Sequence, residues 1–370
     1  MQRQSHNSTV FSLPIQISVV RSGTTVATFG ANEIISLSYE ANSPDIGFSG
    51  IMTTSISVTL ANKSRGTSAC QKGDTIQISG AGIFPDYYVQ DRSFDTYTTN
   101  FTAYDCCSKI EVDFDTTNFV DTENVTISGK TIVRQKLYTQ AQVISAMSTQ
   151  LGMTITPPTD IGIKFSKSDL SGSCRSILEA ISEINGCMFV CVSNQIQAVM
   201  YKDYIATANV NDYGEVLSDS SSVTFTGLVV NDTTYNKEYH YGSNNIFRYI
   251  DSALVKGDSS IGGSLYNRFV SATYNSFSMS NAAVSYFTPT MPQQITYDTS
   301  RTAIVLNMSA NYTAGGWVVQ YSSPEAHADM DTYESKYIRL IDLALKQGTH
   351  GNTYVNLNGS GVVMDLPAGG

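Results

Sequence analysis

Residues able to do chemistry are few in this 370-residue chain, and they are scattered. The four histidines, His6, His240, His327 and His350, form no HExxH or HxH pair that would bring two imidazoles to one metal ion. The most metal-like run is Glu325-Ala326-His327-Ala328-Asp329-Met330-Asp331, which as a strand would put Glu325, His327, Asp329 and Asp331 on one face. Ahead of an amphipathic stretch, the same acids are explained more simply as charges suited to a helix N-terminus. Gly257-Asp258-Ser259 matches the start of an esterase signature, but the Asp-x-x-His that would complete it is missing. Glu179 and Glu183 stand four apart on one helix face, which ordinarily means a solvated surface; a glycosidase needs its two carboxylates facing one another across a cleft.

The six cysteines are Cys70, Cys106, Cys107, Cys174, Cys187 and Cys191. A zinc site from Cys106, Cys107, Cys187 and Cys191 can be drawn, yet the gap between Cys187 and Cys191 is wrong for CxxC. Reduced thiols packed as small apolar residues are the expectation. No catalytic, cofactor-binding or metal residue is therefore assigned, no cofactor is expected, and the chain is read as not an enzyme.

A formal charge of -10 with no basic run argues against sequence-specific nucleic-acid binding, which depends on clustered Lys and Arg. An acidic wall would suit a channel through which DNA slides without sticking, and it serves solubility equally well. No apolar run approaches the length of a membrane span, and the start MQRQSHNSTVF has no secretory pattern, so synthesis in the cytoplasm without stable membrane insertion is expected.

The elements that would position any site are clearer than the site. In Ser171 to Met200, Ser173 caps a helix whose Ile177, Leu178, Ile181 and Ile184 form one stripe, with Glu179, Ser182 and Glu183 facing away. Asn185-Gly186 supplies a left-handed C-terminal cap, and a hairpin from Cys187 to Met200 turns at Ser193-Asn194 and offers its apolar side as the helix's floor. A second helix opens at Thr139 with a capping box to Gln142 and closes at Gly152.

Before these lie short alternating strands: a hairpin about Ser22-Gly23, then Glu33 to Tyr39 with Ile35, Leu37 and Tyr39 on one face, then Ile51 to Leu60, Gly73 to Ser79, Tyr87 to Gln90 and Asn100 to Tyr104. Even spacing and half-apolar patterning suggest a small β-barrel whose Ser and Thr residues face solvent or a partner. A further hairpin turns at Ser128-Gly129. Strands resume after Ile205, continue through Phe269 to Phe277 and on to Tyr321, and are followed by one last helix from about Asp331 to Gln347.

Phe101 to Phe114, Thr139 to Gly152 and Ser171 to Met200 together give a strand ending in Ala-Tyr-Asp, a capped helix, an extended linker and a second helix closing on Asn-Gly. In order and spacing this resembles the central baseplate hub protein of phage tails and phage-like contractile injection particles, over roughly the first two thirds of the chain. The resemblance implies an α+β, mainly β fold: two tube-like β-barrel domains (1–106 and 206–330), an inserted small α+β domain (107–205) and a C-terminal helix and tail (331–370). It further implies a homotrimer adapting a sixfold tail tube to a threefold central spike, with tube, spike and other baseplate proteins as partners. The location implied is the virion or particle tail baseplate, assembled in the bacterial host cytoplasm. Alternatives are the N-terminal module of a non-contractile tail tip protein, a hub-borne cell-wall hydrolase and a carbohydrate-binding β-sandwich.

Overall fold

Three hairpins are set by the same two-residue turn, in which both residues take positive φ: Ser22 and Gly23, Ser128 and Gly129, and Ser193 and Asn194. Such turns match the right-handed twist of the strands they join. The computed structural model describes residues 15–44, 48–61, 70–80, 82–210, 214, 216–218, 223–243, 247–284, 288–297, 301–313 and 316–323. The expected helix at 331–347, the tail, and Glu325, His327, Asp329, Asp331, His6 and His350 lie outside these residues.

The first hairpin is β1 (Gln16–Arg21) and β2 (Thr24–Gly30). It is followed by β3 (Ile34–Ala41), β4 (Thr54–Ala61), β5 (Thr75–Ser79), β6 (Tyr87–Phe94) and β7 (Thr98–Tyr104). The Ser128-Gly129 hairpin is β8 (Thr122–Ile127) and β9 (Lys130–Gln135). Next come β10 (Tyr138–Thr139), α1 (Gln140–Leu151), β11 (Ile155–Thr156), β12 (Lys164–Phe165), α2 (Cys174–Asn185), β13 (Cys187–Val192) and β14 (Gln195–Met200). The remainder is β15 (Ala206–Val210), β16 (Val216–Ser218), β17 (Val223–Thr224), β18 (Gly227–Asp232), β19 (Lys237–Gly242), β20 (Phe247–Ser252), α3 (Ser259–Phe269), β21 (Thr273–Tyr274), β22 (Phe277–Val284), β23 (Gln293–Tyr297), β24 (Arg301–Val305), β25 (Asn307–Thr313) and β26 (Gly316–Ser323).

One antiparallel sheet of eleven strands dominates, in the order β16-β22-β26-β25-β3-β4-β7-β6-β5-β1-β2. The early and late strand groups meet where β25 pairs with β3, Ala310 opposite Tyr39. The fold is thus α+β and mainly β, and among the described residues this sheet does not close on itself. Alternation puts Leu37, Tyr39, Ile56, Val58, Phe101 and Ala103 on the buried face. Ile35 departs from the expected face: the β3–β4 register shifts between Ile34 and Ser36, so Ile34 goes inward and Ile35 is 58% exposed.

Both expected helix caps are present. Thr139 and Gln142 exchange capping-box bonds at α1, and Ser173 accepts from the Ser176 N–H at α2. α2 lies on β13, as expected, and also against β20 and α3. Its outward face is narrower than the pattern suggests. Ser182 is fully buried, its hydroxyl donating to the Glu179 carbonyl and accepting from the Gly50 N–H.

The larger correction is α3, which occupies a stretch expected to hold no helix. Gly262 and Gly263 lower its helix propensity and mask its Ile261, Leu265 and Phe269 stripe. Packing requires the first of these glycines, because a Cβ at Gly262 would come within 2.6 Å of the Tyr241 ring. The helix ends at Phe269, so the expected strand from Phe269 to Phe277 is replaced by the helix end, β21 and the start of β22.

Candidate interaction surfaces

Among the described residues, those considered for chemistry are not gathered into a reactive site. Asp258 caps α3, accepting from the Ser260 N–H at 2.9 Å, so Gly257-Asp258-Ser259 is a turn and a cap. His240 is exposed beside Glu238, 3.2 Å away. Glu179 pairs with Arg175 at 3.5 Å, and the same guanidinium bonds Glu111. No cluster of three or more metal-ligating side chains occurs among the described residues, and Cys106, Cys107, Cys187 and Cys191 are free and buried. Cys106 meets two of the other thiols: its Sγ lies 2.7 Å from Cys191 Sγ, and its side chain also interacts with that of Cys107.

What the fold does assemble is a stiff junction. The Arg268 guanidinium, at the end of α3, donates to the Asn185 carbonyl at 2.6 Å and to the Thr159 carbonyl at 2.7 Å. The Asn185 amide in turn donates to Gln140 Oε1 and the Ile181 carbonyl, and the Gln140 amide donates to the Pro158 carbonyl. Three helices and the linker between α1 and α2 are thereby joined through the buried Gln140 and Asn185 and the half-buried Arg268. Around this network Phe48, Tyr201, Phe225 and Phe269 meet edge to face, with centroids 5.2–6.1 Å apart.

A second tie joins the sheet to the same unit. Asp105, fully buried at the end of β7, accepts from the Thr54 N–H and hydroxyl and from the Cys107 N–H at 2.7–2.9 Å. Burial pushes its carboxyl up to about 6, against the pull of those donors. Phe189 on β13 exchanges backbone bonds with Gly50 and Met52 beside it. The Ala-Tyr-Asp step singled out in the sequence is therefore a structural bracket. Asp105 was marked in the sequence only as the end of that step, and Arg268 carries no motif, its one available signal being a charge placed next to an apolar pair.

Two surfaces remain open. Ser36, Ser38, Ser57, Thr59, Asn100 and Thr102 share the outer face of β3, β4 and β7, where they line a shallow cleft of about 310 Å³. Apart from Asp91 and Arg92 at its edge, the cleft is uncharged. The β8–β9 hairpin is the other, with Ile127, Ile132 and Val133 between 44% and 68% exposed. A deeper cavity of about 460 Å³ lies between the end of β14, the β21–β22 segment and β23–β24, under Tyr201, Tyr274, Phe277 and Tyr297, with Lys202, Asn275 and Gln294 among its polar groups.

Compared with solved structures, the chain falls among phage tail proteins in fold. The 43 kDa tail protein of prophage MuSo2 from Shewanella oneidensis superposes with a TM-score of 0.52 at 10% identity, over 86% of this chain and 100% of that one. A tail protein from Neisseria meningitidis MC58 gives a TM-score of 0.49 at 8% identity, over 84% and 97%. A component of the type VI secretion system of E. coli gives 0.43 at 5% identity, over 81% and 76%. No protein-family model matches the chain, and no curated protein matches it in sequence. At such low identity the likeness is one of fold.

Proposed function

We propose that this chain is a structural hub of the baseplate of a contractile phage tail or tail-like particle, a trimeric ring adapting a sixfold tail tube to a threefold central spike. The observation that carries the reading is the fold shared with the whole length of a phage tail protein. On this reading the strand groups within 16–104 and 206–323 each supply a tube-like barrel unit, joined through β3 and β25. Three chains then present six similar units to the tube, while the trimer itself matches the threefold spike. The stiff junction around Arg268 and Asp105 would keep the two units at a fixed spacing, and the neutral outer face of β3, β4 and β7 would meet neighbouring proteins. The chain works by binding other tail and baseplate proteins, not by catalysis, and it is assembled in the host cytoplasm.

The test is the mass of the purified chain by light scattering at several concentrations, alone and with the spike protein. A trimer in either condition is expected. A monomer in both would overturn the hub assignment. The tyrosine-lined cavity favours one second reading, contact with a surface carbohydrate, since aromatic faces beside amide and ammonium groups suit sugar rings. Binding on a glycan array would support it, and a silent array would remove it.

A further inference from the structure

Cys106 and Cys191 come from different parts of the fold, one just after β7 and the other on β13, with 85 residues between them in sequence. Their sulfurs are 2.7 Å apart, and the two residues are 0% and 8% exposed. The remaining described thiols, Cys70, Cys107, Cys174 and Cys187, are also free and buried, and Cys107, the chain neighbour of Cys106, meets it side chain to side chain and is the competing partner. A disulfide needs sulfurs at about 2.05 Å and side chains that already converge. Here the convergence is supplied by two independent brackets. Asp105 fixes the start of the Cys106 turn through the Cys107 N–H, and the Phe189 bonds to Gly50 and Met52 fix the strand that carries Cys191.

We propose that Cys106 and Cys191 form an oxidisable pair, a disulfide site that locks the eleven-stranded sheet to the α2–β13 unit when the protein meets a peroxide. Hydrogen peroxide is small enough to reach a site with little exposure. The Cys191 thiolate attacks one peroxide oxygen, the O–O bond breaks, and a sulfenic acid and hydroxide result. The Cys106 thiolate then attacks the Cys191 sulfur and expels hydroxide. Two thiols and one peroxide become one disulfide and two waters, the sulfurs being oxidised and the peroxide oxygens reduced. The hydrogen bond that the Cys191 S–H shares with the Cys106 sulfur and the burial of the site both hold the Cys191 thiol protonated, so the reaction is slow at neutral pH and faster in alkali. The proposal does not depend on the tail-hub reading.

The test uses the full chain, purified reduced and treated with hydrogen peroxide. Intact mass should fall by two hydrogens, and peptide mapping without reductant should link the peptide carrying Cys106 to the one carrying Cys191. Closing a loop of this length should raise the melting temperature by about 5 °C, reversed by a thiol reductant. Cys107→Ala should retain the link and Cys191→Ala should lose it together with the temperature shift. Oxidation that yields a Cys106–Cys107 bond, a link to Cys187, or only sulfinic acids overturns the assignment. The wild-type peptide map decides the matter even where a variant folds poorly.

Discussion

The β8–β9 and β13–β14 hairpins begin from nearly the same local chemistry and end in opposite environments. Each pairs six residues in register around a two-residue turn with positive φ. In β13 the residues from Cys187 to Cys191 are all buried, because α2 and the turn at Cys106–Ile110 pack on it and the chain around Gly50 to Met52 pairs with its edge. In β9 every residue is exposed. An isolated two-stranded hairpin is marginal in water, so β8–β9 depends on its turn and on contacts at its base, such as the Lys136 N–H to the Asp121 carbonyl. The difference shows that turn and pairing specify a hairpin, and that cover from other elements decides whether it carries the core.

The comparison can be broken most forcefully from within the covered unit. Ile181→Ala, at a fully buried position on α2, should cost about 4 kcal/mol in urea unfolding, as removal of a core isoleucine leaves a cavity. A loss below about 1 kcal/mol would mean that the cover α2 gives β13 does not hold the core.

The Asp105 bracket comes next. Its carboxyl is held at about 6 in the folded protein, against an ordinary value of 3.8, so the folded state keeps a proton that the unfolded chain gives up in that window. This group's contribution to stability is greatest below pH about 4 and falls as pH rises to about 6, by up to about 3 kcal/mol. Urea midpoints measured across that range should decline in the wild type relative to Asp105→Asn. Parallel curves for the two proteins would show that the carboxyl is not perturbed.

Gly186→Ala tests the cap between α2 and β13. Gly186 has φ 62°, and a Cβ there would lie 2.9 Å from Leu265 Cδ1 and 3.3 Å from the Phe48 ring. A loss of about 2 kcal/mol is expected by thermal melting, from left-handed strain and crowding together. The smallest effect belongs to the exposed hairpin: Val133→Ser, at a residue 68% exposed, should change stability by less than about 0.5 kcal/mol. A larger loss in the same melting assay would show that something covers β9 in the isolated chain.

Much of the fold was legible in the sequence wherever the signal is local. Thr139 with Gln142, Ser173 with Asn185-Gly186, and the Ser-Gly and Ser-Asn turns all lie where their chemistry places them, because caps and turns are satisfied within a few residues. The α3 helix was hidden by two glycines, one of which is dictated by the Tyr241 ring packed against it. Ile35 was misplaced by a bulge that alternation cannot foresee, and Ser182 by a hydrogen bond to Gly50 that no helical wheel contains. Of the candidate chemistry, Cys106, Cys107 and Cys191 of the cysteine quartet are drawn together, while the Glu325 to Asp331 run lies outside the described residues.

Composition, alternation, turns and caps determined by themselves that the chain is mainly β with capped helices, since each of these is settled by backbone geometry and side chains a few positions apart. Tertiary structure alone decided that β25 adds to β3, that Arg268 closes on Asn185, and that two thiols 85 residues apart meet. Such contacts leave no periodic trace in a single sequence. Their partners are chosen by the burial and pairing of whole elements, a balance summed over the entire core.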